Sequence, residues 1–222
     1  MKEVIIIGAG GHAAEIDEYI KYSQKITGRK ELNIVGFLDD DPENYARYIL
    51  SAPLLGSIRE HNVTRGQAYI IGIANLKYRR LFVERFKTLG AEFVSFVHCG
   101  AYLTESSAYG EGTIIGPNAN IGPNVRIGDF TLINSRCSLG HDAIIGNYNV
   151  ISPNVCFSGF SKVGDENFFG INSATIPGIS VGNRNKIAAG MILDQNVGDD
   201  STVFYRYKEK VIAIPRTGNH LK

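Results

Sequence analysis

The chain has 222 residues, 44% of them hydrophobic and 20% charged, with a formal net charge of +1. That is the make-up of an ordinary globular protein of one large or two small domains, and the near-neutral charge argues against a nucleic-acid partner. Three cysteines (Cys99, Cys137, Cys156) have no C-x-x-C spacing, which points to reduced thiols in a cytoplasm and no structural metal, and the early apolar run Val4-Ile5-Ile6-Ile7 is too short for a secretory or membrane segment.

That run is a short β-branched stretch ended by glycines, so it reads as a buried strand. The sequence G-A-G-G-H-A-A-E then leads into a helix-forming segment, residues 13–20. A glycine-rich turn between strand and helix lets backbone N–H groups approach an anion. The same glycines would also serve a tight turn with no ligand. Ile34-Val35-Gly36-Phe37-Leu38 is a second buried strand, followed by Asp39-Asp40-Asp41-Pro42 at its carboxyl end. In doubly wound sheets ligands bind there, and such carboxylates accept from ribose hydroxyls or base N–H groups. An acidic solvated loop is the alternative.

A short strand or turn at Pro53-Leu54-Leu55-Gly56 and a strand over residues 69–73 come next. A helix is predicted over 76–89, with Leu81, Phe82, Phe86 and Leu89 as its apolar stripe, and Gly90 stops it. A last strand is predicted over 93–96. The order β-α-β-β-β-α-β predicts a small Rossmann-like parallel sheet over residues 1–96. That is half a dinucleotide fold, too little for a hydride-transferring dehydrogenase.

From Val97 the sequence repeats in sixes. The hexads begin at Val97, Leu103, Tyr109, Ile115 and so on to Leu193; of these 17 positions, 13 are Val, Ile or Leu. The next position is Gly in nine, where a positive φ or lack of space would explain it. Such a period predicts a parallel β-helix over residues 97–198, three hexads to a coil and a little under six coils. At about 4.8 Å per strand, the prism is roughly 25–30 Å long. Residues 199–222 form a tail.

Residues 18 apart lie in register on successive coils. His141 therefore stands in the column Pro123, His141, Gly159, Pro177, beside a notch left by the glycine. A single central His suits acid/base work better than metal binding; a surface His without a role is the alternative. Cys137 takes a small inward position and reads as packing. Cys156 stays undecided.

These residues resemble the bacterial hexapeptide-repeat sugar O-/N-acyltransferases, a family that includes sialic acid O-acetyltransferases and nucleotide-aminosugar N-acetyltransferases. The motifs are I-I-G-A-G-G-H, F-L-D-D, G-I-A-N…R-R, G-H-D and G-I-N-S, spanning residues 1 to about 198. The resemblance implies a left-handed β-helix, a cytoplasmic homotrimer with active sites between subunits, and acetyl-CoA as co-substrate. By position it makes His141 the general base and Asp142 the acidic neighbour that raises its basicity. Gly159 supplies a backbone N–H to the thioester carbonyl. Gly10, Gly11, His12, Asp39, Asp40, Ile71 and Ala74 would contact the nucleotide-sugar, and Ile171 and Ala189 the coenzyme.

The expected reaction is acetyl transfer to the amino group of a nucleotide-activated amino-dideoxy sugar for surface glycan biosynthesis. Transfer to a hydroxyl of sialic acid or a related sugar is the first alternative. A non-catalytic trimeric nucleotide-binding scaffold is the second. Hexapeptide carbonic anhydrases need three zinc-binding His and fit poorly; no metal is expected. His141 and Asp142 are adjacent, so their side chains meet only where the backbone turns. Gly140 is the residue expected to allow that turn. The tail, with Val203-Phe204-Tyr205-Arg206-Tyr207-Lys208 and Ile214-Pro215-Arg216, departs from the family's G-x-P-A-[KR] ending.

Overall fold

The computed structural model describes residues 1–64 and 66–205. The tail motifs beyond Tyr205 lie outside the described residues. The N-terminal part runs β1 (Lys2–Ile7), α1 (Gly11–Thr27), β2 (Leu32–Leu38), α2 (Pro42–Ala46), β3 (Leu54–Gly56), β4 (Ala68–Ile71), α3 (Leu76–Thr88) and β5 (Glu92–Phe93). Its strands form one parallel sheet in the order β3-β2-β1-β4-β5. The core strands β1 and β4 are covered on both faces, which is why they read as unbroken apolar runs.

Three details differ from the sequence reading. The short helix α2 was not foreseen, although Pro42 at its start and the Asp41 carboxylate accepting from the Glu43 N–H are ordinary start signals. The strand expected over 93–96 divides. Glu92–Phe93 closes the sheet, and Phe96–Val97 is the first strand of the β-helix. The apolar stripe of α3 is also rotated. Phe82, Val83 and Phe86 are buried together with Arg79, while Leu81 and Leu89 face solvent.

The repeat folds as expected for a left-handed parallel β-helix with three faces. Face 1 stacks Phe96–Val97, Ile114–Ile115, Leu132–Ile133, Val150–Ile151, Phe168–Phe169, Lys186–Ile187 and Thr202–Val203. Face 2 runs from Tyr102–Leu103 to Ile192–Leu193, and face 3 from Ala108–Tyr109 to Ser180–Val181. Register between coils is 18 residues, as in Leu139↔Phe157 and Ile145↔Val163. Hexad-start side chains from Ile115 to Leu193 fill the inside of the prism.

From residue 112 to residue 190 each corner is made at the fourth hexad position, not at the glycine of the second. Asn118, Asn124, Phe130, Arg136, Asp142, Tyr148, Asn154, Phe160, Glu166, Asn172 and Arg184 all have φ between 54° and 62°. Gly112, Gly178 and Gly190 take the same place. The second-position glycines answer to space instead. A Cβ on Gly140, for example, would lie 2.6 Å from the Gly159 nitrogen of the next coil.

The sheet docks on face 1 and on the corner between faces 3 and 1. Ala13, Ile16 and Ile20 of α1 share a core with Phe96, Ile114, Leu132 and Val150 of face 1. Phe82 and Phe86 of α3 share another with Phe130 of the corner. Arg79 ties the parts together. Its Nε donates to the Phe130 carbonyl (2.9 Å) and its Nη1 to those of Ile71 (3.1 Å) and Ile73 (3.0 Å). The final coil is two residues short: Val197 pairs with Val181 and Thr202 with Lys186, and its strand runs past residue 198.

Candidate active site

His141 sits on the corner between faces 2 and 3, one residue beyond the strand Ser138–Leu139 and its Gly140. Asp142 adopts φ 58°, so the turn that brings two adjacent side chains together is made by the aspartate itself, not by Gly140. Asp and Asn tolerate this conformation better than most residues. His141 Nδ1 lies 2.9 Å from Asp142 Oδ2, and Asn124, one coil earlier, donates its Nδ2–H to Asp142 Oδ1 at 3.1 Å. The hydrogen bond from His141, then that from Asn124, holds the Asp142 carboxyl below its ordinary value. A carboxylate on Nδ1 fixes the tautomer that leaves Nε2 free to take a proton.

The imidazole lies against Gly159. A Cβ there would fall 2.7 Å from both Cε1 and Nε2 of His141. Only a glycine allows the ring this position. The backbone beside it is irregular. At this point of the coil a second-position N–H normally bonds to the carbonyl one coil on, as Gly140 does to Phe157 at 2.7 Å. The Ser158 N–H goes instead to Thr175 Oγ1 (3.1 Å), and the strand pair Cys156–Phe157 with Ala174–Thr175 keeps only Cys156↔Ala174 in register. Among the described residues the Gly159 N–H has no hydrogen-bond acceptor. The His141 ring and the open donor thus lie together, as expected from their 18-residue spacing.

Ile171 and Ala189 are also stacked and exposed, but on the corner between faces 1 and 2. Cys137 is buried, its thiol pushed up to about 12 by burial, so it is not a nucleophile. Cys156 is exposed.

The sheet forms a cavity of about 550 Å³ lined by Gly10, Gly11, His12, Asp39, Asp40 and Ala74 with Asn75 and Tyr78. Helix α1 starts at Gly11 with no side-chain cap, leaving its first N–H groups to the cavity. A Cβ on Gly10 would meet nothing within 4 Å. His12 Nδ1 lies 3.3 Å from Glu15 Oε2, and its buried Nε2 has no partner among the described residues. Burial pulls its pKa below the ordinary value.

The two carboxylates are less free than the sequence suggested. Asp39 Oδ2 accepts from the Ala9 N–H at 2.7 Å and its Oδ1 from the Asp41 N–H at 2.9 Å. Asp40 pairs with Arg59 at 3.0 Å and accepts from Ser57 Oγ at 2.6 Å. Burial works to raise its pKa, but the hydrogen bonds from Ser57 and the Arg59 N–H overcome it and hold the group low. The Ile71 side chain is wholly buried in the core and does not line the cavity; Gly72 and Ile73 do.

A cleft of about 870 Å³ adjoins this cavity and shares Ala74 and Asn75 with it. It lies between α3 and the late coils of face 1, walled by Leu76, Arg80, Phe168 and Lys186. The buried Asn185 Nδ2 at its floor has no partner among the described residues. Its equivalents Asn149 and Asn167 donate to the carbonyls of Gly164 and Gly182 (both 2.9 Å), and the shortened last coil offers Asn185 no such carbonyl.

Sequence reasoning missed Arg79, whose guanidinium is fully buried without a carboxylate and is pulled down to about 9 by burial. It also missed Asn124 and Phe160, both found by stepping one coil from Asp142.

Residues 3–86 match the family model described as the PglD N-terminal domain, and residues 124–159 match that of bacterial transferase hexapeptide repeats. Over 117 residues the chain is 27% identical to a UDP-N-acetylbacillosamine N-acetyltransferase of Bacillus subtilis, covering 52% of this chain and 51% of that protein. It is 32% identical over 112 residues to the bifunctional protein GlmU of Prochlorococcus marinus, covering 43% of this chain and 25% of GlmU. The chain thus spans between a quarter and a half of these curated relatives. Its fold is that of the acetyltransferase domain of PglB from Neisseria gonorrhoeae solved with acetyl coenzyme A (TM-score 0.79, 23% identity, 90% of this chain and 95% of that one). PerB from Caulobacter crescentus, solved with CoA and GDP-perosamine, is similar (TM-score 0.77, 24% identity, 91% and 93%). The resemblance to the hexapeptide-repeat sugar acyltransferases holds in both halves of the chain.

Proposed function

From a chain that joins a PglD-type N-terminal domain to bacterial transferase hexapeptide repeats, we propose a cytoplasmic homotrimer that acetylates nucleotide-linked amino sugars. The acyl donor is acetyl-CoA, the acceptor is the amino group of an amino-dideoxy sugar, and the product enters surface glycan biosynthesis. The observation that carries this reading is the His141–Asp142 pair lying on the bare Gly159, whose N–H is open.

The amine attacks the thioester carbonyl. Nε2 of His141 takes the proton that the forming C–N bond releases, and the Asp142 carboxylate stabilises the imidazolium. The Gly159 N–H receives the tetrahedral oxyanion, a contribution of roughly 3–4 kcal/mol for a single donor elsewhere. As the C–S bond breaks, the imidazolium returns the proton to the coenzyme A sulfur. Ile171 and Ala189 border the corner along which the coenzyme would run.

The position of the site supports assembly into a trimer. The sheet covers face 1, whereas His141 stands on the corner opposite that face. The prism lies between the two, which supports a base that serves a cavity on a neighbouring chain. The 870 Å³ cleft beside the nucleotide cavity gives the neighbour's corner room to enter.

The test is release of free thiol from acetyl-CoA in the presence of UDP- and GDP-linked 4-amino-4,6-dideoxy sugars or free sialic acid. The expected result is turnover with a nucleotide-linked amino sugar alone. Turnover with sialic acid alone would replace the amine by a hydroxyl, and no turnover with any acceptor would favour the scaffold.

A further inference from the structure

The corner column that carries Asp142 reads Ser106, Asn124, Asp142, Phe160, Gly178. Asn124, Asp142 and Gly178 have positive φ and are residue types that tolerate it, and Phe160 occupies the same conformation at φ 61°. A large aromatic gains nothing from this backbone.

Other large residues hold corner positions too, but each is engaged by its neighbours. Phe130 and Tyr148 stack at 5.3 Å beneath α3, Glu166 pairs with Arg80, and Arg184 with Asp200. Arg136 Nε donates to Asn154 Oδ1 at 2.7 Å. Phe160 is 56% exposed and belongs to none of the apolar cores. Among the described residues its ring touches one other ring, that of His141, edge to face at 4.9 Å between centroids.

We infer that Phe160 is a positioning residue for His141. Asp142 holds the imidazole at Nδ1, and the bare Cα of Gly159 lies beneath the ring. Phe160 closes the remaining side, so that one rotamer is left and Nε2 stays beside Gly159. An exposed histidine tied by one hydrogen bond would otherwise share several rotamers, each of which carries Nε2 away from the reacting atoms. The unfavourable backbone at Phe160 is the kind of local cost that accompanies functional sites. This inference rests on His141 being the base of the proposed reaction.

The test compares Phe160→Asn with Phe160→Tyr. Asparagine suits the corner, so Phe160→Asn should melt about 2–4 °C higher than the parent as the strained conformation is relieved. Its kcat should fall about tenfold with both KM values unchanged, because placement of the base is lost and binding is not. Phe160→Tyr keeps the ring and should keep kcat. A Phe160→Asn enzyme with parental kcat would overturn the inference. A second readout needs no substrate: the side-chain three-bond couplings of His141, measured by NMR on the free protein. They should report one rotamer in the parent and an average of several in Phe160→Asn. Single-rotamer couplings in both would overturn the positioning role even if no acceptor sugar were found. Full activity in His141→Ala would instead remove the base and leave the couplings as the measure of Phe160.

Discussion

Two corners of the same prism are built on the same hexad and the same left-handed residue, yet they behave differently. The corner between faces 3 and 1 is laced. On its outside the side chains of Asp129, Asn147, Asp165 and Asn183 each accept the N–H of the residue one coil below, at 2.8–2.9 Å for Glu111, Asp129 and Asp165 and 2.7 Å for Asn147. On its inside Asn149, Asn167 and Asn185 form a second ladder, and α3 packs over Phe130 and Tyr148. The corner between faces 2 and 3 has Pro123, His141, Gly159 and Pro177 at the position of the outer ladder, and among the described residues no helix packs over it. Where side chains satisfy the corner N–H groups, the corner is support. Where they do not, a titratable ring and an open donor are left facing outward, and the corner can do chemistry.

Replacing His141 should break the open corner's role without touching the prism. His141→Ala is expected to lose at least a hundredfold in kcat with an unchanged melting temperature, measured by thiol release and calorimetry. Gly159→Ala comes next. Its Cβ would lie 2.7 Å from the imidazole, so the ring must move, and a loss of roughly 10- to 100-fold in kcat is expected, again with little change in melting temperature.

The laced corner should show the reverse. Asn167→Ala leaves the Asn185 N–H and the Gly182 carbonyl buried without partners. At about 1–3 kcal/mol for each group the melting temperature should fall by roughly 5–15 °C, with kcat at low temperature kept. A large activity loss here at full stability would erase the distinction between the corners.

Asp142→Asn should give the smallest effect, about tenfold in kcat, and a diagnostic pH change. The Asp142 pKa is lowered in the folded protein by its bond with His141. What it contributes to stability is therefore present above the ordinary carboxyl range and is lost as pH falls through the lowered pKa. In Asp142→Asn that acid-side loss of stability should be absent, measured as melting temperature by calorimetry from neutral to acid pH.

The prism was legible because its signal is periodic. A hexad-start aliphatic and an 18-residue register follow from one count, and they placed His141 beside Gly159. The corner conformation was not legible. Nine glycines drew attention to the second position, where close approach of the next coil excludes a Cβ, while the turning residues at the fourth position are as varied as Asn124, Arg136 and Phe160. The turn at Gly10 and Gly11 does line a cavity of the sheet. Its details were not legible, because Asp39 and Asp40 are engaged by partners up to 30 residues away in sequence, Ala9 among them. Arg79 escaped because a charged side chain on a helix reads as solvated, and only the tertiary fold supplies the three carbonyls that bury it.

The central claim is that one chain's open corner serves another chain's cavity, and subunit mixing tests it most directly. His141→Ala lacks the proposed base, and Gly10→Phe fills the proposed nucleotide cavity; each alone should be inactive. In mixed oligomers built from the two, a corner from the Gly10→Phe chain can meet a cavity from the His141→Ala chain. Random mixing at equal amounts should then restore about a quarter of the parental sites. Mixed oligomers, isolated through two affinity tags, that remain inactive would contradict the claim and return the base and the cavity to a single chain.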